Sequence, residues 1–562
     1  MISAPFFPGV PAPRPAAARQ PGFPALTARP ASAPPSRLRA LALALCLMGA
    51  GAAPLAPARA QSSLPALGDA SSEGLDILGE RRLGERIMRE VRRDPDYLDD
   101  PLLSDYLQPL WSRLLQAARA RGEINPDLDR TYGWELFQVR DRSVNAFALP
   151  GGFVGVHLGL IAMTASSDEL ASVLAHELTH VTQRHIARSM ENSQRQGMAS
   201  MAAILLGILV ASRSTAVDGA QAVIMGGQAA AMQGQLNFSR EMEREADRIG
   251  QQVLSEAGFS AWGMAGMFEK LDAGARLNDS NQYPYLRSHP LTIERISEAR
   301  LRASGAEPGA APAEVLALHA LMQGRARALV DRSEQAWRRL QDSASAAAPA
   351  GQPETTRLGQ HYAAALASLQ LREPERAEAF LRSAQALEGG RLATLPAVAG
   401  VLDLLQLEVS ALRQGPQALA LLQDGGALAA RPGRAALLAR AQAGLLLRRH
   451  GVAGTEGVLR RETQALQTWV IEHRRDVLAW QTLSQLAEAQ GQTLRAQRAA
   501  AEAAAAQGDV VGAVDRFRAA QQSVQQDPKA DYMEVAIVQS RLRELEAEKR
   551  RLLAEARGER PD

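Results

Sequence analysis

The segment VLAHELTHVTQRH, at residues 173–185, restricts the possible structure and function of this chain more than any other feature. Its first two histidines, His176 and His180, are four residues apart, so on a helix their side chains lie on one face. Two imidazoles in that arrangement can bind one zinc ion. Glu177 follows the first histidine and is placed to take a proton from a water on that ion. A surface helix that carries two histidines by chance is the alternative, and this motif alone does not exclude it.

A second charged segment, FSREMEREADRIG, begins at residue 238 and has the spacing of a helix. It places Glu243 and Asp247 four residues apart, where like charges repel each other. Neighbouring arginines would compensate the repulsion on a solvated helix. In the other interpretation, Glu243 is a third metal ligand and Asp247 holds a ligand imidazole from behind.

The hydrophobic pattern around these two segments predicts a mostly helical domain with a small sheet. Residues 61–130 have helical spacing, whereas residues 134–161 are typical of strands around a turn at 150–152. A helix over 166–190 is predicted to begin with a capping box of Ser166 and Glu169. Further helices are expected over 239–257 and 261–274. The apolar segment 198–235 is too short in its core to span a bilayer and is expected to be a buried or flap-like helix, with a membrane-facing or substrate-facing surface as the alternative.

From about residue 303 the composition changes to alanine, leucine, arginine and glutamine, with a linker at 343–356. Beyond the linker, small residues recur at spacings of 4 and 3. They are Ala377, Leu381 and Ala384, then Ala496, Ala500 and Ala503, then Ala513, Phe517 and Ala520. This pattern resembles tetratricopeptide repeats, which stack helix pairs into a solenoid with a concave groove. Generic alanine-rich helices could produce the same pattern.

The first sixty residues have the character of a secretory leader. They contain six arginines and no acid, followed by a short apolar run and an A-x-A end at Ala58 and Ala60. The formal net charge is +2 for the whole chain and becomes slightly negative without this basic segment, so nothing suggests nucleic-acid binding. The single cysteine, Cys46, lies inside the apolar run. A mature protein without cysteine suits an oxidising compartment such as the periplasm.

Taken together, HELTHVTQRH, FSREMEREADRIG, VNAFALPGG and SHPLTIERI resemble the Ste24/HtpX-type zinc endopeptidases, densely over residues 140–300. The resemblance implies an α+β, mostly α fold, with a zincin-like metalloprotease domain followed by the TPR-like solenoid. It implies these boundaries: leader 1–60, protease domain 61–302, helix and linker 303–356, TPR-like repeats 357–530 and charged C-terminal helix 531–562.

The same resemblance implies a set of site residues. One zinc ion per chain would be bound by His176, His180 and Glu243, and not by Glu245. Glu177 would be the general base. His185 is off the ligand face and is expected to be structural.

Three further groups follow from the resemblance. Asp247 would support a ligand imidazole, and His289 with Arg295 would lie near the active site. His289 would either occupy the fourth zinc position and hold the enzyme shut, which we favour, or stabilise the oxyanion; a surface histidine in a turn is the remaining alternative. The strand around Asn145, Ala146 and Phe147 would pair with an extended substrate, although Phe147 could equally belong to the core.

The resemblance also implies partners and location. Periplasmic members of this kind degrade stalled or misassembled outer-membrane β-barrel proteins and assist their assembly, with the repeats docking on the assembly machinery. At most a peripheral membrane contact is expected. One alternative is a periplasmic chaperone or scaffold that acts through its repeats, with peptidase activity rare or secondary. Another is a zinc peptidase of small peptides whose repeats serve only oligomerisation.

Overall fold

A computed structural model describes residues 75–192, 239–277, 283–305, 309, 311–413, 416–526 and 531–556. All of them belong to one compact unit, Ser71–Asp562. The expected leader 1–60 and the apolar segment 198–235 lie outside the described residues.

The first part of the described chain combines helices with short strands, which confirms the expected mostly helical fold with a small sheet. In chain order its elements are α1 (Ile77–Val91), β1 (Tyr97–Leu98), α2 (Pro101–Ala120), α3 (Pro126–Thr131), β2 (Glu135–Val139), β3 (Ala146–Leu149), β4 (Phe153–His157), α4 (Leu158–Met163), α5 (Ser167–Thr182), α6 (His185–Asn192), α7 (Arg240–Glu256), α8 (Trp262–Leu277), α9 (Tyr285–Ser288) and α10 (Ile293–Ala303).

The second part is helical, with two short 3-10 turns at Leu387–Gly390 and Leu392–Thr394. Its helices are α11 (Ala313–Val330), α12 (Glu334–Ser345), α13 (Glu354–Gln370), α14 (Pro374–Ala386), α15 (Pro396–Leu412), α16 (Pro416–Leu422), α17 (Arg434–Arg449), α18 (Thr455–Glu472), α19 (Val477–Ala489), α20 (Thr493–Ala506), α21 (Val510–Gln526) and α22 (Tyr532–Ala556).

The sheet has four strands in the order β1-β2-β4-β3. Strands β2 and β4 are parallel, whereas β1 pairs with β2 and β3 pairs with β4 in antiparallel fashion. The turn between β3 and β4 contains Gly151 and Gly152, whose φ angles of 81° and 91° favour glycine. Within the described part of the chain, β3 pairs with no strand other than β4. Among the described residues, β3 is therefore an edge strand of the sheet.

Helix α5 lies at the centre of the first part and contacts α2, α7, α8, β3 and β4. The Ser166 hydroxyl caps its N-terminus by accepting a hydrogen bond of 3.2 Å from the Glu169 backbone N–H. Every residue from Leu170 to Thr182 is buried. A helix that is buried on all sides needs no polar face, so any polar side chain on α5 requires a partner inside the protein.

The helix predicted over 166–190 is interrupted in the structure. It ends at Thr182 and a new helix begins at His185, because Arg184 adopts a left-handed conformation with φ of 53°. Contacts distant in sequence hold this turn: the Arg184 guanidinium donates to the Glu80 carboxylate and to the Leu75 carbonyl oxygen, both at 2.5 Å. The break changes the direction in which His185 points.

In the second part, each helix from α12 onwards contacts the next helix along the chain. In addition, α15 contacts α17 past the short helix α16. Of the nine recurring small or apolar residues, all are buried except Ala500, which is half-buried. This burial explains their spacing, since they lie where helices touch. The tetratricopeptide type of the repeats stays a prediction.

One buried and one half-buried ion pair connect the second part to the first. Arg325 on α11 donates two hydrogen bonds of 2.7 Å to Asp100 at the start of α2. Arg434 on α17 bridges Asp99 and Asp476. Among the described residues, no helix combines the length and the apolar character needed to cross a membrane.

Candidate metal centre

Helix α5 brings two histidines and a glutamate to one buried point. The Nε2 atoms of His176 and His180 are 3.0 Å apart, and their ring centroids are 4.7 Å apart. Both rings and the Glu177 side chain are at most 1% exposed. A surface helix is thereby excluded, since this face of α5 is turned into the protein.

Helix α7 contributes the carboxylates. Glu243 Oε1 lies 3.4 Å from His180 Nε2, and Glu243 Oε2 lies 3.6 Å from His176 Nε2. Asp247, one turn later, has Oδ1 3.0 Å from Nδ1 of His176, which is the ring nitrogen on the other side. Gly250 allows this close approach, because a Cβ there would lie 3.1 Å from the Ala175 carbonyl oxygen on α5.

The loop between α9 and α10 supplies His289. Its Nδ1 is 2.9 Å from Glu243 Oε1 and 3.3 Å from His176 Nε2, and its Nε2 is 3.5 Å from Glu177 Oε1. One ligand atom from each of His176, His180, Glu243 and His289 can be chosen so that all lie within 4.8 Å of one another. A surface position for His289 is excluded, because the side chain is 2% exposed.

Arg295 on α10 neutralises the carboxylates of α7. Its guanidinium donates hydrogen bonds of 2.6 and 2.8 Å to Asp247 and lies 2.9 Å from Glu243 Oε2. It also donates to the Pro290 carbonyl oxygen at 2.7 Å, which ties the His289 loop to the same group. The repulsion expected between Glu243 and Asp247 is therefore offset by Arg295 and by the histidines, not by arginines of α7 itself.

His185, expected to be structural, lies directly behind His180. Their Nδ1 atoms are 2.8 Å apart, and His185 Nε2 is 3.0 Å from Glu245 Oε2. Arg188 also donates to Glu245, at 2.8 Å. A chain of contacts therefore runs from Glu245 through His185 to His180, and it orients this imidazole as Asp247 orients His176. No local pattern in the sequence indicates this contact, because the turn at Arg184 depends on distant contacts.

The electrostatics of the cluster favour positive charge at its centre. Burial disfavours the imidazolium of His176, but hydrogen bonds with Asp247 and Glu243 outweigh this and raise its pKa to about 9. Burial, followed by His176, lowers the pKa of His180 well below its ordinary value. Burial opposes ionisation of Glu243, yet His289 and His176 hold its pKa far below the usual range. Burial raises the pKa of Glu177.

The donor set fits zinc. Imidazole nitrogens and a carboxylate oxygen are its usual protein ligands, and one ion can bridge atoms this close together. The Oε2 atom of Glu243 is buried beside this group and forms an ion pair with the Arg295 guanidinium at 2.9 Å. The carboxylate of Glu177 is likewise buried beside the group, near the backbone N–H of Ala148 on β3.

The three residues expected to bind substrate lie at the start of β3. Ala146 is buried and Phe147 is half-buried. The Phe147 ring packs edge-on against Phe137, at 5.7 Å between centroids, and against His157, at 5.8 Å. The Asn145 carbonyl oxygen accepts a hydrogen bond of 3.1 Å from the His157 N–H. The Phe147 side chain thus belongs to an aromatic cluster.

Comparison with known proteins agrees with this site. The sequence model of peptidase family M48 matches residues 106–303, which include every residue of the cluster. The β-barrel assembly-enhancing protease of Escherichia coli K12 is 36% identical over 256 residues, 45% of this chain and 50% of that protein. The Yersinia pestis protein of the same name is 37% identical over 249 residues, 44% and 49%.

A mitochondrial relative has a lower sequence identity to this chain. The metalloendopeptidase OMA1 of Schizosaccharomyces pombe is 32% identical over 218 residues, 39% of this chain and 59% of that protein. The chain spans about half the length of the β-barrel assembly-enhancing proteases it matches. Residues 106–303 therefore resemble the peptidases of family M48, and the chain is similar over somewhat less than half of its length to the β-barrel assembly-enhancing proteases.

Proposed function

We propose that this protein is a periplasmic zinc endopeptidase that acts on outer-membrane β-barrel proteins, degrading those that are stalled or misassembled and assisting assembly of the rest. The observation that carries the proposal is the convergence of His176, His180 and Glu243, with Glu177 beside them, next to the open edge of β3. The names of the relatives support the substrate class. The expected leader supports the location.

In this proposal His176, His180 and Glu243 hold the ion, and Asp247 and His185 orient the two imidazoles. Zinc, when bound, supplies a Lewis acid that polarises water and the scissile carbonyl group. Glu177 takes a proton from the attacking water and passes it to the leaving amine. Burial of Glu177 excludes bulk water and favours a carboxyl group that can hold that proton.

The substrate pairs main chain to main chain with β3, which has an open edge, and Asn145, Ala146 and Phe147 form the first part of that pairing edge. A paired peptide passes close to Glu177, because the Ala148 N–H of the same strand lies next to this carboxylate. A folded substrate must therefore unfold locally before cleavage, which selects against correctly assembled barrels.

His289 acts as a fourth ligand that restrains the enzyme. Its Nδ1 lies 2.9 Å from Glu243 Oε1 and 3.3 Å from His176 Nε2, close enough for the three atoms to share one ion, which favours this role over oxyanion stabilisation. Cleavage then requires the His289 side chain to leave the group. Such restraint suits an enzyme that works among healthy barrels.

The helices α13–α22 act as a TPR-like docking domain for the assembly machinery. Support comes from the buried small residues between consecutive helices, and from the buried pair of α11 and the half-buried pair of α17 that link these helices to the start of α2. The alternative is a chaperone or scaffold that acts through these helices, with proteolysis secondary.

Replacement of Glu177 by Gln tests the proposal. The variant is expected to keep its zinc and to lose cleavage of an unstructured protein such as β-casein, with barrel degradation lost in cells. Glu169→Gln is the matched control, since Glu169 lies on the same helix but pairs with Lys270. Full rescue of barrel assembly in a deletion strain by Glu177→Gln would favour the scaffold alternative instead.

A further inference from the structure

Tyr285, at the start of α9, has a buried hydroxyl group for which no role has been assigned. The residue is 3% exposed, and its hydroxyl makes no hydrogen bond with any described residue. A buried hydroxyl without a partner costs free energy, because water is lost and nothing replaces it. In a functional site, such an orphan group is a candidate for a partner that arrives with the substrate.

The ring of Tyr285 lies against the metal centre. It stacks on His289 with 4.6 Å between centroids and 28° between planes, and it meets the His176 ring edge-on at 6.3 Å. Burial raises the pKa of the Tyr285 hydroxyl well above its ordinary value, and among the neighbouring charges Glu177 acts on it most strongly. Tyr285 and Glu177 are linked through His289, because the ring that stacks on Tyr285 has its Nε2 3.5 Å from Glu177 Oε1.

Other hydrogen-bond donors of the described site are already engaged. The Nδ1 of His289 faces Glu243, and the guanidinium of Arg295 is bound to Asp247 and to the Pro290 carbonyl oxygen. Negative charge that develops on a substrate carbonyl oxygen requires a donor placed in advance. Tyr285 is a donor in the described site that is both buried and uncommitted.

Tyr285 and Glu177 thus both border the His289 imidazole, and Glu177 in turn lies near the Ala148 N–H of β3. We propose that Tyr285 is a further catalytic residue, whose hydroxyl donates a hydrogen bond to the reacting carbonyl oxygen of a peptide paired with β3 as that oxygen becomes negative. This inference rests on the proposed endopeptidase function.

Replacement of Tyr285 by Phe removes the hydroxyl and keeps the ring stacked on His289. We expect kcat for β-casein to fall by about a hundredfold, with KM and zinc content unchanged. A phosphinic peptide, which has the tetrahedral shape of the reacting carbon, should bind more weakly by a similar factor in calorimetry. The melting temperature of the zinc-free variant should equal or exceed that of the wild type, because the lost hydroxyl had no partner.

Tyr106→Phe is the matched control, because the buried Tyr106 hydroxyl is hydrogen-bonded to His319 at 2.7 Å, outside the site. It should lower the melting temperature and leave kcat and phosphinic peptide binding unchanged. Tyr285→Leu removes the ring as well and reports on the stacking separately.

Two results would overturn the inference in distinguishable ways. If the wild type cleaves and Tyr285→Phe cleaves and binds the phosphinic peptide as well, the ring is only a platform for His289 and the hydroxyl has no catalytic role. If the wild type shows no zinc-dependent cleavage that Glu177→Gln abolishes, the endopeptidase function itself fails, and the inference fails with it.

Discussion

The carboxylate of Asp247 lies 3.0 Å from Nδ1 of His176, on the side of the ring opposite to the atoms that converge with His180 and Glu243. Two hydrogen bonds from Arg295 hold that carboxylate in place. They also outweigh the effect of burial and keep the pKa of Asp247 below its usual value, so it stays ionised. Asp247 thus fixes both the orientation and the tautomer of the imidazole without touching the ligand side.

Replacement of Asp247 by Asn should therefore weaken zinc binding by about 10- to 100-fold, because the amide cannot stabilise the same tautomer as strongly. Competition with a chelator of known affinity measures the change. Asp272→Asn on α8 is the control, since Asp272 pairs with the largely exposed Arg276. Zinc affinity equal to that of the wild type would show that Asp247 serves only to pair with Arg295.

Glu243, and not its neighbours on α7, should complete the zinc site. Glu243→Ala is expected to lose zinc during purification. Glu241→Ala should retain it fully, because Glu241 is exposed. Glu245→Ala should retain most of it, because Glu245 contacts His185 and acts only through His180. Metal analysis of the three purified variants decides the matter, and equal retention by Glu243→Ala and Glu245→Ala would contradict this assignment.

The two roles considered for His289 predict opposite effects of its removal on the rate of cleavage. With His289 as a fourth ligand, His289→Ala should raise the rate of β-casein cleavage and of self-cleavage, because a ligand position is opened. With His289 as the oxyanion donor, turnover should instead fall by about a hundredfold. Both rates are measured on freshly purified protein, with Glu177→Gln/His289→Ala as the inactive control. An unchanged rate would mean that His289 has neither role.

The helical period explains how much of the site could be predicted from sequence. A spacing of four on each of two helices fixes which side chains share a face, so His176 with His180, and Glu243 with Asp247, could be paired without a structure. The resemblance to known peptidases then assigned the side chains of the two helices to one metal site. His289 and Arg295 also depended on it, because a loop before a helix has no period that reveals its direction.

The remaining contacts of the site depend on parts of the chain far apart in sequence. The position of His185 behind His180 requires the left-handed turn at Arg184, which is held by Glu80 and Leu75, more than 100 residues earlier. Tyr285 looks like an ordinary aromatic core residue in the sequence, and only its missing hydrogen-bond partner distinguishes it. Such features follow from tertiary packing, for which propensity and spacing carry no information.

Protonation of His319 should make the protein less stable in weak acid. Its Nε2 is 2.9 Å from the Thr164 carbonyl oxygen just before α5, and its Nδ1 is 2.7 Å from the Tyr106 hydroxyl. Burial lowers the pKa of His319, partly offset by the bond to Thr164 and by Glu169, while Lys270 and Arg327 lower it further. The ring is therefore neutral when folded, with its proton on Nε2.

The direction of this pH effect follows from the coupling between protonation of His319 and folding. Below pH 6.5, roughly the pKa of a histidine in the unfolded chain, the unfolded chain binds a proton that the folded protein resists. The free energy of unfolding therefore decreases as the pH is lowered. The loss can reach about 1.4 kcal/mol per pH unit until the folded pKa is passed. We expect the stability advantage of the wild type over His319→Gln to shrink between pH 7 and pH 5 in thermal melts. An advantage that is constant across this range would show that His319 does not titrate as described.

The last prediction concerns the buried pair of Arg325 and Asp100, which joins α11 to the start of α2 across 225 residues of sequence. Arg325 is 8% and Asp100 is 6% exposed, and Arg325 also donates to the Tyr362 hydroxyl at 3.0 Å. Burial opposes the charge of Arg325, but Asp100 outweighs it and holds the guanidinium pKa well above its ordinary value. Removal of either partner leaves the other charge buried without compensation.

Arg325→Met and Asp100→Asn should each lower the free energy of unfolding by about 3–5 kcal/mol. The double variant should lose less than the sum of the two, because it leaves no lone buried charge. Arg119→Met is the control: it breaks a pair with Asp129 in which both side chains are more than a third exposed, and such pairs contribute about 0–1 kcal/mol. Urea midpoints followed by tryptophan fluorescence and by far-UV circular dichroism provide the measurement. Additive losses in the double variant would mean that the two residues act independently of each other.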